Sequence, residues 1–187
     1  MKNKIKFSLL FAVIWIFFKL LLFWFGFAIN TVTPAIFGNI FCLLAAISIG
    51  LFINKKNELV EKGNAMNDIK TSLSIGMPYA VLVSIFIYFY YSKIDPAYNE
   101  RQLEKAQILI DTTLKNNTKF EQLKKENASF EVMSKEKIKN ELIKGPKSFY
   151  TPSATSLISL LSLMMLSTFY SILLTIIYRK FFFRNYD

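Results

Sequence analysis

The sequence predicts an all-α integral membrane protein with four transmembrane helices and a helical extracytoplasmic insertion between spans three and four. Two observations support this fold class. The 187-residue chain is 53% hydrophobic, and its apolar residues are gathered in four long runs, each close to the roughly 20 residues that cross a bilayer core. Between the third and fourth runs lies a charged segment whose apolar residues recur at helical spacing.

The four apolar runs are the predicted spans, since a soluble domain of this length could not bury all of them. They cover Phe7–Ile29, Ala35–Ile53, Leu73–Tyr91 and Ser156–Tyr178. The first is too long and too aromatic for a signal peptide, so we interpret it as a retained anchor. The short link Asn30–Pro34 makes spans one and two an antiparallel pair, and Pro34 suits the first turn of a helix.

Three regions follow from these runs. Residues 1–92 hold the first three spans with a short cytoplasmic loop, and residues 93–154 form the helical extracytoplasmic insertion. Residues 155–187 hold the fourth span and a basic cytoplasmic tail.

The orientation follows from the basic residues of the short segments. They precede span one, fill the loop between spans two and three, and follow span four: Lys2, Lys4, Lys6, Lys55, Lys56, Lys62, Lys70, Arg179, Lys180 and Arg184. Positive residues favour the cytoplasmic side, so both termini and the loop between spans two and three are predicted to be cytoplasmic. The formal charge of +10 is therefore explained by topology rather than by nucleic-acid binding.

Aromatic residues at the ends of the spans predict the membrane interfaces. The outer interface is marked by the pairs Trp24–Phe25, Tyr90–Tyr91 and Phe149–Tyr150. The inner one is marked by Tyr178 and by Phe181–Phe183.

The insertion is predicted to begin with a helix that follows span three. Asp95 can cap a helix whose first position is Pro96. Leu103, Ile110 and Leu114 then fall on one face, with charged residues between them.

Two shorter helices are predicted to complete the insertion. Thr118 has capping-box spacing to a glutamate three residues on, which indicates a second helix start. The third helix covers about Ser134–Lys144, with Ile138 and Leu142 one turn apart, and ends at Gly145-Pro146. These narrow apolar stripes either pack together as a small helical cap or lie on lipid headgroups.

Small side chains recur every four residues in three of the spans. The three ridges are Gly38, Cys42, Ala46 and Gly50 in span two, Ser72, Gly76, Ala80 and Ser84 in span three, and Ser167, Ser171 and Thr175 in span four. Residues four apart share a helix face, and small residues let helices approach closely in lipid. We therefore predict a tight bundle of spans two, three and four, with a substrate path along the ridges as the alternative.

Lys19 is a positive charge inside the first span, and none of the four predicted spans contains Asp or Glu. A buried charge in a membrane helix is costly and marks a candidate functional residue. Three interpretations stay open: snorkelling to water or lipid phosphate, a structural contact within the bundle, and binding of a ligand or proton. Candidate partners inside the protein are Asn39, Ser84, the outer tyrosines and Asp95.

Catalytic chemistry has little support in the sequence. The chain has no histidine, and its one cysteine, Cys42, lies in an apolar run without a base nearby. We predict no catalytic residue, no metal ligand and no cofactor site, and so a protein that is not an enzyme. No small-molecule substrate can be identified.

Two segments are similar to a family of small bacterial membrane proteins of unassigned function, domain of unknown function 4199. They are DIKTSLSIGMPYAVLVSIFIYFYYSKIDPAYNE (Asp68–Glu100) and WIFFKLLLFWFG (Trp15–Gly26), which includes Lys19. The resemblance extends to the order of elements over nearly the whole chain. It implies a four-helix membrane protein and supplies no activity, ligand or catalytic residue.

The predicted function is a non-enzymatic component of the membrane that binds other proteins, or itself, through its ridges or outer helices. The expected partners are the lipid bilayer and either a second copy of the chain or another membrane protein. The alternative is a small transporter or channel subunit that acts as an oligomer.

Overall fold

The computed structural model describes residues 2–27, 31–57 and 64–182, and the side chains of 5–27, 31–54 and 64–181. Every regular element in these residues is helical. The α-helices are α1 (Lys2–Trp24), α2 (Thr33–Asn57), α3 (Ala65–Phe89), α4 (Ala97–Lys115), α5 (Asn117–Glu126), α6 (Lys135–Phe149) and α7 (Pro152–Ile177). Short π-helical turns follow α3 and α7, at Tyr90–Ile94 and Tyr178–Phe182, and a 3₁₀ turn lies at Ala128–Phe130.

Four helices are long and apolar enough to cross a membrane, which confirms the predicted runs. The candidate spans are Ile5–Trp24, Thr33–Asn54, Ala65–Ile94 and Pro152–Phe181. The third begins at Ala65, eight residues before the predicted Leu73. This earlier start brings Asp68 into the helix, and the statement that no span contains an acidic residue is therefore wrong.

The first helix ends earlier than its apolar run. Gly26 has a φ of +77°, and its N–H donates to the carbonyl of Phe23, so the chain leaves the helix after Trp24 and not at Ile29. Glycine tolerates this left-handed conformation because it lacks a Cβ. The next helix starts at Thr33 with Pro34 in its first turn, as predicted. Asn30, at the start of the predicted link, lies outside the described residues, as do Lys62, Phe183 and Arg184.

The chain divides into two compact units. We call residues 1–86 with 157–187 the bundle unit, and residues 87–156 the insertion unit. The division falls within α3.

In the bundle unit, α1 and α2 are an antiparallel pair, as predicted. An added Cβ at Gly38 would meet the ring of Phe18, and one at Gly50 would lie 3.4 Å from Phe7. The contacts therefore run in opposite directions along the two helices. Trp15 of α1 links the two helices, because its Nε1 donates to the carbonyl of Ala35 in α2 at 2.9 Å.

The insertion unit folds around its own apolar core. Leu114 of α4, Phe120 of α5, Phe130 of the 3₁₀ turn and Ile138 of α6 are buried together. The predicted stripes thus pack against one another. Because the apolar faces of three helices are used in this core, packing explains them better than contact with lipid headgroups.

The helix ends of the insertion unit differ in part from prediction. Asn116, not Thr118, caps α5 by accepting from the N–H of Lys119, while Ser134 caps α6 as its predicted first residue. The predicted end of α6 is wrong, because the helix continues through Gly145-Pro146 to Phe149. Proline removes one donor but sits in the last turn, where little of the helix remains to be disrupted.

Asp95 does not cap α4 through its side chain. The cap position is Pro96, without a side-chain hydrogen bond, and the Asp95 carboxylate instead accepts from Arg101 Nη2 at 3.0 Å to each oxygen. In the pair with Arg101 both partners are charged and both carboxylate oxygens accept a bond, whereas a cap would use one oxygen and an uncharged N–H.

Replacing Ile138 with alanine is expected to destabilise the insertion unit, because Ile138 is fully buried in its core. Such a deletion costs about 2–5 kcal/mol. Backbone amides of α4 and α6 should then exchange with solvent at least about tenfold faster in the full chain. Val132→Ala, at an exposed position of the same unit, is the control and should leave exchange unchanged. Unchanged exchange in the Ile138 variant would contradict this assignment of the core.

Candidate functional site

The small-residue ridges of spans three and four meet where Gly76 of α3 approaches Ser167 of α7. All seven ridge residues of these two helices are buried. A Cβ added at Gly76 would collide with Ser167 Oγ and would lie 2.9 Å from Ser167 Cβ and 3.0 Å from Ile47 Cδ1. The two backbones therefore approach closely at Gly76, as small residues permit.

The ridge of span two is shared between neighbours. Ala46 is fully buried, while Gly38 and Cys42 are half-buried. Gly38 lies against Phe18 of α1, whereas an added Cβ at Gly50 would lie 2.5 Å from Ile75 Cδ1 of α3. The second ridge thus serves the α1–α2 pair as well as the predicted contact with α3.

A buried ion pair lies at the end of the α3–α7 contact, and the sequence analysis missed it. Arg179 Nε donates to Asp68 Oδ2 at 2.7 Å, and the side chains are 23% and 6% exposed. A signal was present in the spacing. Asp68 lies one step of four before Ser72, and Arg179 lies one step of four after Thr175. Each ridge therefore ends in a charged residue of opposite sign.

Other polar side chains join the helices of the bundle unit in pairs. Ser8 of α1 donates to the carbonyl of Ile75 at 2.5 Å, and Tyr79 donates to Asn39 Oδ1 at 2.7 Å. Tyr178, after α7, shares a 2.6 Å hydrogen bond with Ser48 of α2. In lipid such bonds hold helices together because the hydrophobic effect between them is weak.

Lys19 lies inside the protein and is 4% exposed. Its Nζ is 6.0 Å from the centre of the Trp15 ring, within the range of a cation–π interaction. Trp15 is itself fixed, since it is buried and its ring meets Phe86 edge to face at 6.0 Å. Snorkelling to lipid or water is therefore wrong, and a structural contact within the bundle fits these observations.

The predicted partners of Lys19 have their own contacts. Asn39 accepts from Tyr79 through its side-chain oxygen, and Asp95 accepts two bonds from Arg101. Ser84 is buried on the α3 ridge.

The aromatic residues that were predicted to mark the membrane interfaces differ in their exposure. Trp24, Phe25 and Phe181 are exposed, as residues in contact with a membrane interface would be. Tyr90 and Tyr91 are buried within the protein. Tyr91 stacks on Tyr98 at 4.6 Å within the insertion unit, because a phenol ring gains more from this packing than from partial contact with water.

Tyr98 begins the insertion unit's first helix. Burial raises the pKa of its phenol, Tyr150 and Asp95 raise the pKa further, and Arg101 lowers it. The phenol is therefore protonated at neutral pH and can act as a hydrogen-bond donor.

Within residues 2–27, 31–57 and 64–182, no group of three or more His, Cys, Asp and Glu side chains is placed to hold a metal ion.

The family assignment rests on a match over nearly the full length of the chain. A family model described as "Protein of unknown function (DUF4199)" matches residues 6–180. The chain belongs to this family. The DUF4199 match covers all four apolar helices and the insertion unit, which confirms the resemblance seen in the sequence. Comparison with curated proteins and with solved structures gave no match.

Burial of Lys19 predicts that its amine is protected from chemical modification. When the detergent-solubilised protein is treated with a water-soluble amine reagent, Lys180, which is exposed, should be labelled while Lys19 is not. Peptide mass spectrometry measures both positions in one sample. Equal labelling of the two lysines would show that Lys19 reaches the solvent.

Proposed function

We propose that this chain is a non-enzymatic, multi-pass integral membrane protein that serves as a structural or protein-interaction component of a bacterial inner membrane. The bundle unit supports the membrane part of the proposal. Its helices expose large apolar side chains on their outward faces, among them Leu9, Val13, Phe17, Phe37, Phe41, Met165 and Phe169. Such a surface is stable only against lipid or another apolar partner.

Cytoplasmic termini are part of this proposal and are supported by the basic residues at one end of the bundle. The Ser8–Ile75 and Asp68–Arg179 contacts place the starts of α1 and α3 beside the end of α7. Lys6, Lys70 and Lys180 belong to this end, which the positive-inside rule assigns to the cytoplasm.

Reporter fusions test the orientation. A fusion at residue 120, in the insertion unit, and one at the C-terminus should report opposite faces of the membrane. Reporters on the same face would overturn both the orientation and the extracytoplasmic position of the insertion.

The observation that carries the interaction role is an exposed apolar pair on the insertion unit. Ile108 and Leu109 of α4 are 60% and 68% exposed, although the unit has a complete core without them. Because the α3 and α7 ridges are buried, the outer helices are the more accessible of the two predicted binding surfaces. Exposed apolar side chains on a unit outside lipid favour binding to another protein.

Association in mild detergent tests the interaction role. The purified chain should be recovered as a homo-oligomer or with a stoichiometric partner. Leu109→Asp should abolish that association, whereas Val132→Asp, at another exposed apolar residue of the unit, should not. A parent protein that is monomeric and free of partners would overturn the proposal.

A second candidate is a small transporter or channel subunit acting as an oligomer. It is favoured by the burial of Lys19 and Asp68 within helices long enough to span a membrane. Ionisable residues in such positions often mark ion or proton paths. If this role holds, Lys19→Met abolishes flux in reconstituted vesicles and leaves folding intact. Unchanged flux, or none in the parent, would remove it.

A further inference from the structure

Three buried hydroxyls at the contact between α3 and α7 have no hydrogen-bond partner within the part of the chain that the structure describes. They belong to Ser72 on α3 and to Ser167 and Thr175 on α7. All three side chains are at most 2% exposed. Since an unbonded hydroxyl in an apolar interior costs free energy, such groups require an explanation.

Hydroxyls elsewhere in these helices show the usual way of avoiding this cost. Ser74 donates to the carbonyl of Lys70 at 2.7 Å, and Thr168 donates to that of Met164 at 3.0 Å. Ser171, on the same face as Thr175, likewise bonds four residues back. This local bond is open to any serine or threonine in a helix. The three unpartnered hydroxyls depart from it, and all three lie on the ridges that meet between α3 and α7.

Ser72 and Thr175 lie between two observed contacts of α3 with α7 or the turn that follows it. Asp68 meets Arg179 at one end, and Gly76 meets Ser167 further along the two antiparallel helices. Ser72 lies midway between Asp68 and Gly76, and Thr175 lies between Ser167 and Arg179. The two hydroxyls therefore occupy the segment of the contact next to the ion pair.

We propose that Ser72 and Thr175 form a binding site for water inside the bundle, between the ion pair and the close approach at Gly76. A buried water needs two to four polar partners, and each hydroxyl can donate one hydrogen bond and accept two. Water thus satisfies both hydroxyls at once and joins α3 to α7 through a bridged polar contact.

Coordination and charge both disfavour a cation at these hydroxyls. A sodium ion loses its hydration shell on entering such a site, and oxygen ligands or negative charge must replace that shell. Two hydroxyls are too few oxygen ligands to do so. The carboxylate nearest along the helix, Asp68, is already neutralised by Arg179. An apolar ligand would leave both hydroxyls unbonded. Water is the ligand that matches the donors, the acceptors and the charge.

A double-mutant cycle on the full chain in detergent tests the site. Ser72→Ala and Thr175→Val each remove one partner of the water, and each should lower Tm by about 2–4 °C. The fall in Tm of the double variant should be closer to that of the more destabilised single variant than to the sum of the two falls, since both substitutions remove the same bridge. Thr168→Val is the matched control, because the Thr168 hydroxyl donates to a carbonyl of its own helix on an exposed face. This substitution should change Tm by less than Ser72→Ala or Thr175→Val does.

Three results would overturn the proposal. A rise in Tm for either single variant would mean that the hydroxyls are unbonded in the parent, and strict additivity would mean that they share no ligand. A Tm increase in NaCl over choline chloride that Ser72→Ala abolishes would identify a cation instead. Where a variant fails to fold, the parent protein is tested by solid-state NMR, with magnetisation transferred from water protons to the protein. Signals at Ser72 and Thr175 are expected, and their absence refutes the site.

Discussion

Replacing Gly76 with alanine is expected to give the largest loss of stability that one added methyl group can cause in this protein. The new Cβ would collide with Ser167 Oγ and press on Ser167 Cβ and Ile47 Cδ1. Rotation of the serine hydroxyl relieves only the first of these contacts. Overpacking of this kind costs about 1–3 kcal/mol, which corresponds to a fall in Tm of roughly 3–10 °C for a chain of this length. A leucine at this position should prevent α3 and α7 from packing at all.

A matched glycine separates this steric effect from the general effect of glycine in helices. Gly145 is also helical, and a Cβ added there meets nothing within 4 Å. Gly145→Ala should therefore be neutral or slightly stabilising, because alanine favours the helix. In the Gly76→Ala background, Ser167→Ala removes the colliding oxygen and should restore part of the lost Tm. Equal effects at the two glycines would show that α3 and α7 do not approach closely at Gly76.

Breaking the Asp68–Arg179 pair is expected to produce the second large effect. Arg179→Met removes the guanidinium from the buried Asp68 carboxylate, and removal of one member of a buried pair costs about 3–5 kcal/mol. Because the arginine is 23% exposed, solvent reduces this cost, and we expect the lower end of the range. Thermal unfolding in detergent should show Tm lowered by several degrees.

The double variant Asp68→Leu with Arg179→Met should recover most of that loss, since apolar residues can replace a buried ion pair at little cost. The exposed pair Lys139–Asp111 provides the control, with side chains 45% and 41% exposed. Lys139→Met should change stability by at most about 1 kcal/mol. If the two single variants behaved alike, the Asp68–Arg179 contact would be a surface pair and not part of the bundle interior.

Much of the bundle could be predicted from residue spacing. The ridge Ser72–Ser84 was identified because residues four apart share a helix face, and that face is buried as expected. The ion pair was missed although it extends the same spacing, because hydropathy alone set the start of span three at Leu73. The mean hydropathy of a sequence window excludes Asp68 from a span because aspartate is charged. In the tertiary structure Arg179 lies beside Asp68, so the charge can be accommodated within the helix bundle.

Lys19, Tyr90 and Tyr91 show what residue spacing cannot predict. Spacing identifies which residues share a face but does not say what that face meets. Tyr90 and Tyr91 follow an apolar run and were assigned to the lipid interface, yet they are buried. The sequence left three interpretations of Lys19 open, and the structure places its amine within range of the Trp15 ring. Trp15 is in turn held by Ala35 and Phe86, which are distant from it in sequence.

The sequence by itself determined the four apolar helices, the helical insertion and the ridges, because each follows from local composition and periodicity. Only the tertiary structure decided that α3 meets α7 through Gly76 and Ser167, that Asp68 pairs with Arg179, and that Lys19 is buried. The physical reason is that a helix face is fixed by spacing within a few turns, whereas its partner is chosen by close packing between segments up to 130 residues apart.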